Sequence, residues 1–305
     1  MTHLSVVIPV YNESSLIAEL TRRVKQNTNL ITEDFEIILV DDGSKDETWK
    51  LIVKESIEEK RIKGIKFSRN FGHHYAITAG LHSASGDWVV VMDGDLQDRP
   101  EVIPDLYKKA ISGYDVVFVS RQNRPEKLYY RIAQRIFYFM LNSFSGLHFD
   151  PKQANFSILN NKVVKAFMSF PENSRFFGST VKWLGFNRGE IFADHGQRFS
   201  GRPSYTFKKR IKLATDIIIS FSERPSRILI SLGLFSAMFS TACTIYYILT
   251  LLFGSDTYAT VEIFQILTLY TFSICLTLLG FQGIYIREIG KEVKKRPLYI
   301  IDEIV

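Results

Sequence analysis

The segment Trp88-Val89-Val90-Val91-Met92-Asp93-Gly94-Asp95 (WVVVMDGD) runs an apolar, β-branched stretch straight into two carboxylates spaced two residues apart. Its apolar part reads as a buried strand over 88–92, closed by the polar turn that follows. Working outward, similar runs recur at Leu4–Val10 (LSVVIPV), 35–40, 65–67 and 114–120. Between them, amphipathic segments predict helices from about Glu13, Asp46 and His73, and another near Glu101. This alternation predicts an α/β fold with a mostly parallel sheet and helices on both faces. Ligands of such sheets bind beyond the carboxyl ends of the strands, where residues 93–95 lie.

Three strand ends place polar groups at that edge. Asp93 and Asp95 can converge on one hard cation, Mg²⁺ or Mn²⁺, whose shell substrate phosphates usually complete; the same spacing is also common in plain turns. Gln97 and Asp98 either stand behind such a cation or form a polar turn before Pro100. Asp41-Asp42-Gly43-Ser44 ends the strand EIILV. Asp42 suits hydrogen bonds from a base or ribose, and the pair equally suits a turn and N-cap before the helix at Asp46. Pro9, Tyr11, Asn12 and Glu13 close the first strand.

The C-terminal third differs. Residues 228–254 and 263–286 are 27 and 24 residues without a charge, each longer than the ~20 a helix needs to cross a bilayer. The connecting loop 255–262 has two acids and no base, whereas Arg224 and Arg227 precede the first run and Arg287, Lys291, Lys294, Lys295 and Arg296 follow the second. By the positive-inside rule both termini are cytoplasmic. Two further stretches, 127–147 and 206–222, begin basic and continue aromatic or aliphatic, which suits helices lying in the headgroup plane or helices packed on the sheet. LSVVIPV is too short for a secretory leader. Cys243 and Cys275 lie within the apolar runs and read as reduced packing residues.

These motifs carry a resemblance. VVIPVYNE (6–13), VDDGSKDET (40–48), FSRNFGHHYAITAGL (67–81), VMDGDLQDRPE (91–101), SRQNR (120–124), the R-x-x-G element at 198–201 and two spans ending near RPLYII are similar to family 2 glycosyltransferases of GT-A fold. Within that family the chain resembles the polyprenyl-phosphate glycosyltransferases, the group of dolichol-phosphate mannose synthase and the bacterial GtrB-type enzymes. The resemblance implies a Rossmann-like, mostly parallel sheet, interfacial amphipathic helices and two transmembrane helices. Its divisions are a nucleotide-sugar-binding core at 1–125, an acceptor part at 126–227, the spans at 228–286 and a cytoplasmic tail at 287–305.

The implied reaction is inverting, metal-dependent transfer of a sugar from a UDP- or GDP-linked donor to a polyprenyl phosphate, undecaprenyl phosphate above all, for cell-surface glycans. Its setting is the cytoplasmic face of the inner (plasma) membrane, and similar enzymes can be homotetramers. By the same resemblance Pro9, Tyr11, Glu13, Asp42 and Asp93 meet the nucleotide, and Asp93, Asp95 and Gln97 the Mg²⁺ or Mn²⁺. Asp95, Arg121, Arg124 and position 155 are catalytic, and Arg124, Arg198, Arg202 and Tyr205 hold the acceptor phosphate. Guanidinium forks match phosphate oxygens bidentately, which suits the arginines to this role.

The chain departs from the family pattern twice. Asn155-Phe156-Ser157-Ile158 stands where many relatives carry an acid in a D-F-R-L element, proposed as the base, and an amide takes no proton. Either the enzyme is impaired, or a base such as Asp150 acts instead, or none is needed. The last reading is preferred, because a phosphate monoester has a second pKa near ~6 and is largely dianionic at pH 7. In HGQRFSGRPSY (195–205) the family's Ser-Lys before the tyrosine is Pro203-Ser204, so that Arg202, Lys208 or Lys209 must supply its charge. His195 suits either a phosphate contact or a structural role, and His73, His74 and His82 read as helix residues without metal-ligand context.

Asn155 also supports a competing class, a catalytically silent relative that binds nucleotide sugar or scaffolds a membrane assembly; Asp93 and Asp95 oppose it. A processive polysaccharide synthase is disfavoured, since none of Trp49, Trp88 or Trp183 sits in a Q-x-x-R-W element. The net charge of +6 is unevenly held: segments 121–135, 198–212 and 287–296 carry +13 together and the remainder −7. Basic segments beside apolar ones point to anionic lipid rather than nucleic acid.

Overall fold

The computed structural model describes residues 4–122, 135, 139, 142–143, 153–170, 172, 176–194, 224–253 and 258–305. Among them the strands are β1 (Leu4–Val10), β2 (Phe35–Asp41), β3 (Ile62–Phe67), β4 (Trp88–Val91), β5 (Val116–Gln122), β6 (Gln153–Asn160), β7 (Arg188–Asp194) and β8 (Ile301–Ile304). The helices are α1 (Ile17–Asn29), α2 (Thr48–Glu58), α3 (His73–Ser83), α4 (Ile103–Ile111), α5 (Asn161–Met168), α6 (Phe177–Trp183), α7 (Arg224–Leu252) and α8 (Tyr258–Lys294). The segments 127–147 and 206–222 lie outside the described residues, apart from positions 135, 139, 142 and 143.

The strands form one sheet in the order β7-β5-β6-β4-β1-β2-β3-β8. Its centre, β4-β1-β2-β3, is parallel; β6 runs antiparallel to β4 and β5, β7 parallel to β5, and β8 antiparallel to β3. Every residue of β1 and β2 is buried, as expected of central parallel strands covered on both faces. The two-residue period sorts their side chains. Val6, Ile8, Ile37 and Leu39 pack with α1, α2 and α4 on one face, and Val7, Ile38 and Val40 with α3, α5 and α6 on the other. Truncating a fully buried residue such as Ile38 to alanine costs about 2–5 kcal/mol.

The register opens a crevice at one place. β1 pairs with β2 along its whole length, to Val10↔Asp41, but with β4 only from Leu4↔Trp88 to Val7↔Val91. Val7 O accepts from Met92 N, so Pro9, two residues on, faces the side β4 has left and its missing N–H costs no ladder bond. This is the point where strand order reverses, the usual ligand crevice of such sheets.

Helix α1 starts at Ile17 rather than near Glu13, because the preceding backbone is held by another loop. Asn12 N donates to Ser44 Oγ, Glu13 N to Thr48 Oγ1 and Ser14 N to Asp46 Oδ2. Asp46 in turn accepts from Thr48 N at the start of α2. The first two strand ends are thereby stitched together.

The described residues fall into two compact units, one holding the sheet, α1–α6 and 297–305, the other α7 and α8. In the second, Arg227–Thr250 and Ile263–Lys294 are long and apolar enough to cross a membrane. The two helices pack antiparallel, with Gly233 against Leu278 and Tyr247 stacked on Phe264 at 5.4 Å. Hydroxyls of Ser231, Thr241, Thr244, Thr268, Thr271, Ser273 and Thr277 each donate to a carbonyl one turn back, which satisfies them within their own helix. Cys243 and Cys275 are free thiols on these helices.

Candidate functional site

The carboxyl ends of β1, β2 and β4 bring together residues far apart in sequence. Beyond β1, Tyr11 is exposed and Asn12 adopts φ 54°, turning the chain back over the crevice. Glu13 then lies against the turn of 93–95, where a Cβ added to Gly94 would stand 2.5 Å from Glu13 Oε2. Gly94 is thus needed for the first and third strand ends to meet.

The second strand end acts through a loop. Gly43, at φ +70°, presses on the backbone of Arg69 and Asn70, where an added Cβ would come within 2.4 Å. Beside it Asp42, nearly fully buried, accepts from Phe71 N at 2.7 Å and from Gly72 N at 3.0 and 3.1 Å. Asp41 accepts from Ser44 N at 2.9 Å. The turn-forming role expected as one alternative for this pair thus falls to Asp41, while Asp42 clamps the loop 69–72. Burial raises both pKa values above the usual carboxylate range, against the hydrogen bonds that lower them.

The third strand end carries Asp93 and Asp95. Asp95 Oδ1 accepts from Gln97 N at 3.0 Å, and Leu96 takes φ 58°. Asp93 Oδ1 lies 3.1 Å from His73 Nε2, a neighbour that reading the histidines as plain helix residues missed. β6 pairs with β4 through Val91↔Ser157, and continuing that register two residues sets Asn155 opposite Asp93. Asn155 Nδ2 is 3.4 Å from the same His73 nitrogen. No spacing rule reveals this trio; it exists because β6 pairs with β4 and because α3, packed on β1 and β2, begins with His73 beside the end of β4.

Burial works against charge on His73, but the Asp93 carboxylate, with Asp42 and Glu13 beyond it, outweighs burial and raises its pKa. The adjacent His74 meets Phe176 edge-on at 5.6 Å. There burial, and then the charge of His73, push its pKa down to about 3. Neighbouring histidines therefore differ in kind: the carboxylates around His73 favour its charged form, whereas burial favours the neutral form of His74.

Among the described residues no three His, Cys, Asp or Glu side chains group as a metal site. Two carboxylates alone suit a hard divalent cation that arrives with phosphate oxygens to complete its shell, and oxygen donors favour Mg²⁺ or Mn²⁺. The site therefore fits a metal carried by a diphosphate better than a resident one. Arg121 belongs to the end of β5, with its side chain outside the described residues. Arg124, Asp150, His195, Arg198, Arg202 and Tyr205 also lie outside them.

Comparison with known proteins agrees with this architecture. Residues 5–169 match the domain described as glycosyl transferase family 2. The chain is 34% identical over 303 residues to the uncharacterized glycosyltransferase YkcC of Bacillus subtilis (strain 168), covering 98% of this chain and 93% of that protein. It is 32% identical over 310 residues to undecaprenyl-phosphate 4-deoxy-4-formamido-L-arabinose transferase of Salmonella choleraesuis (strain SC-B67), covering 99% and 93%. A structure of glucosyl-3-phosphoglycerate synthase from Mycobacterium tuberculosis, crystallised with Mn²⁺, uridine diphosphate and phosphoglyceric acid, matches with TM-score 0.52 at 17% identity over 72% of this chain and 76% of that one. That last match is a likeness of fold.

Proposed function

Since the chain belongs to glycosyl transferase family 2, we propose that it moves a sugar from a UDP- or GDP-linked donor to a membrane polyprenyl phosphate, undecaprenyl phosphate in the first instance. The observation that carries this reading is the presence in one chain of a carboxylate-lined crevice at the ends of β1, β2 and β4 and of two helices long and apolar enough to cross a bilayer. The crevice suits a metal-bound nucleoside diphosphate, and the helices suit access to a lipid acceptor. The name of the Salmonella relative, matched over nearly its whole length, supports the same acceptor.

In this reading an acceptor phosphate oxygen forms a bond to the anomeric carbon as the bond from that carbon to the nucleoside diphosphate breaks, inverting the centre. The divalent cation, when bound, supplies charge neutralisation on the departing diphosphate. Asp93 and Asp95 hold it, with Gln97 beside them; Pro9, Tyr11, Glu13 and Asp42 border the nucleotide. Arg121, Arg124, Arg198, Arg202 and Tyr205 meet the phosphates. The acceptor is already dianionic near pH 7, so Asn155 need not take a proton and positioning does most of the work.

Localisation follows the same reasoning. Strands of the sheet precede and follow the α7–α8 pair in the chain, so an even number of crossings keeps both on one side. The basic residues flanking the two helices favour the cytoplasm for that side. We accordingly place the protein in the inner membrane with two crossings and cytoplasmic termini.

The test is to incubate purified full-length chain with radiolabelled nucleotide sugars, Mn²⁺ or Mg²⁺, and undecaprenyl phosphate. The expected result is a chloroform-soluble labelled product. No product from a broad donor panel, together with donor binding that Asp95→Asn leaves unchanged, would favour the silent, scaffolding reading.

A further inference from the structure

We propose that the segment 297–305 positions the loop 68–72 at the donor crevice, with Tyr299 as the positioning residue; this rests on the reading of that crevice as the donor site. The segment directly follows α8 in the chain yet belongs to the unit of the sheet. β8 lies along the edge of β3 with Ile65↔Ile304, Lys66↔Glu303 and Phe67↔Ile301, its register shifting between Lys66 and Phe67. The pairing runs past both ends of the strand. Gly64 and Val305 exchange backbone hydrogen bonds at 2.8 and 3.0 Å, and Ser68 N, the first residue of the loop, donates to Ile300 O at 3.1 Å.

The seat for this strand is built from side chains as well. A Cβ added to Gly64 would stand 2.8 Å from Val305 Cγ2, so a larger residue there would collide with the docked segment. Trp49 Nε1 donates to Glu303 Oε2 at 3.0 Å, and Lys66 pairs with both Glu303 and Asp302. Blunting an open sheet edge requires only the backbone ladder and a few charges. Here the contacts continue toward the crevice. Tyr299 stacks on Phe67 with centroids 5.0 Å apart and planes 13° apart, and Phe67 meets Phe71 edge-on at 5.7 Å. The Arg69 guanidinium lies 3.9 Å from the centroid of the Phe71 ring.

Phe71 joins this aromatic set to the crevice. Its N–H and that of Gly72 are the donors clamped by Asp42, and the next residue is His73, which reaches Asp93. A continuous set of contacts thus runs from Tyr299 through Phe67 and Phe71 to carboxylates on two of the three strand ends. Losing one face of an aromatic stack of this kind loosens its neighbour by roughly two- to tenfold in equilibrium terms.

The experiment uses the full-length chain in detergent and reads two quantities: amide hydrogen exchange at 68–72, and the Kd of UDP and GDP with Mn²⁺. Tyr299→Ala should speed exchange at 68–72 by up to roughly tenfold and weaken nucleotide binding by a similar factor. Tyr299→Phe, which keeps the ring, should do neither. Removing 297–305 should act at least as strongly, and adding a peptide of sequence LYIIDEIV should restore slow exchange. Unchanged exchange at 68–72 in Tyr299→Ala overturns the proposal, as does faster exchange with undiminished nucleotide affinity. If the parent chain binds neither nucleotide while exchange responds as stated, positioning of the loop stands and the donor-site reading is what fails.

Discussion

Both ends of the sheet bury carboxylates, and the protein treats them in opposite ways. At the amino ends, Glu36 Oε1 accepts from Ser5 Oγ at 2.6 Å, Ser85 N at 2.7 Å and Ser85 Oγ at 2.8 Å, while Oε2 pairs with Lys63 Nζ at 2.6 Å. Burial opposes its charge, yet these partners, Lys63 foremost, bring its pKa below the usual value. At the carboxyl ends, Asp41 and Asp42 are as deeply buried but held by Ser44 and by the backbone N–H groups of Phe71 and Gly72, and burial raises their pKa values. Asp41 Oδ2 has no hydrogen-bond partner among the described residues. One end is closed and compensated, and serves the fold. The other gathers acids that a cation would relieve, the pattern expected of a binding site.

Substitutions can break this contrast. The largest effect is expected for Asp95→Asn, which should lower transfer by about 10²–10³, the range for losing one preorganised stabiliser of developing charge, with the melting temperature unchanged. Glu36→Gln should do the reverse, costing about 1–3 kcal/mol of stability through its buried partners while leaving the rate per folded molecule intact. Its pH dependence has a definite sign. A carboxylate whose folded pKa is lowered contributes stability above its ordinary 4.5, and that contribution fades as the pH falls through the folded value. The melting-temperature gap between parent and Glu36→Gln should therefore shrink from pH 7 toward pH 3. If Glu36→Gln abolished transfer without loss of stability, the two ends would not differ as described.

Smaller effects sharpen the contrast within the crevice. His73→Ala removes the group that orients Asp93 and should raise the Mn²⁺ needed for half-maximal activity about tenfold, as for other partners of metal-binding carboxylates. A lowered requirement would mean that His73 competes with the metal instead. Asn155→Asp should change the rate least. A general base contributes about 10²–10⁴-fold, and a gain of that size would show that the acceptor is not sufficiently ionised by itself.

Much of this was readable in the sequence, and the rest was hidden for physical reasons. WVVVMDGD and LSVVIPV announced central strands because residues buried on both faces must be apolar throughout, and the acids placed directly after them had to lie at the sheet edge. Position 155 stands out through the family pattern, but its contact with His73 does not, since it depends on the pairing of β6 with β4 and on where α3, packed on β1 and β2, begins. The start of α1 is not legible locally, because the side chains of Ser44, Asp46 and Thr48, much further along the chain, hold the backbone of residues 12–14 in the loop. No sequence pattern marks β8, since IDEI is short, half acidic and exposed; the edge of β3, with Trp49 and Lys66 beside it, makes it a strand.

The most direct measurement is nucleotide binding with and without metal. Titrating UDP and GDP into the full-length chain by calorimetry should give saturable binding of at least one of them in Mn²⁺, lost on chelation and lost in Asp95→Asn, with Glu36→Gln binding like the parent. Binding that survives both chelation and Asp95→Asn would contradict the assignment of the carboxyl-end acids to a metal-bound diphosphate.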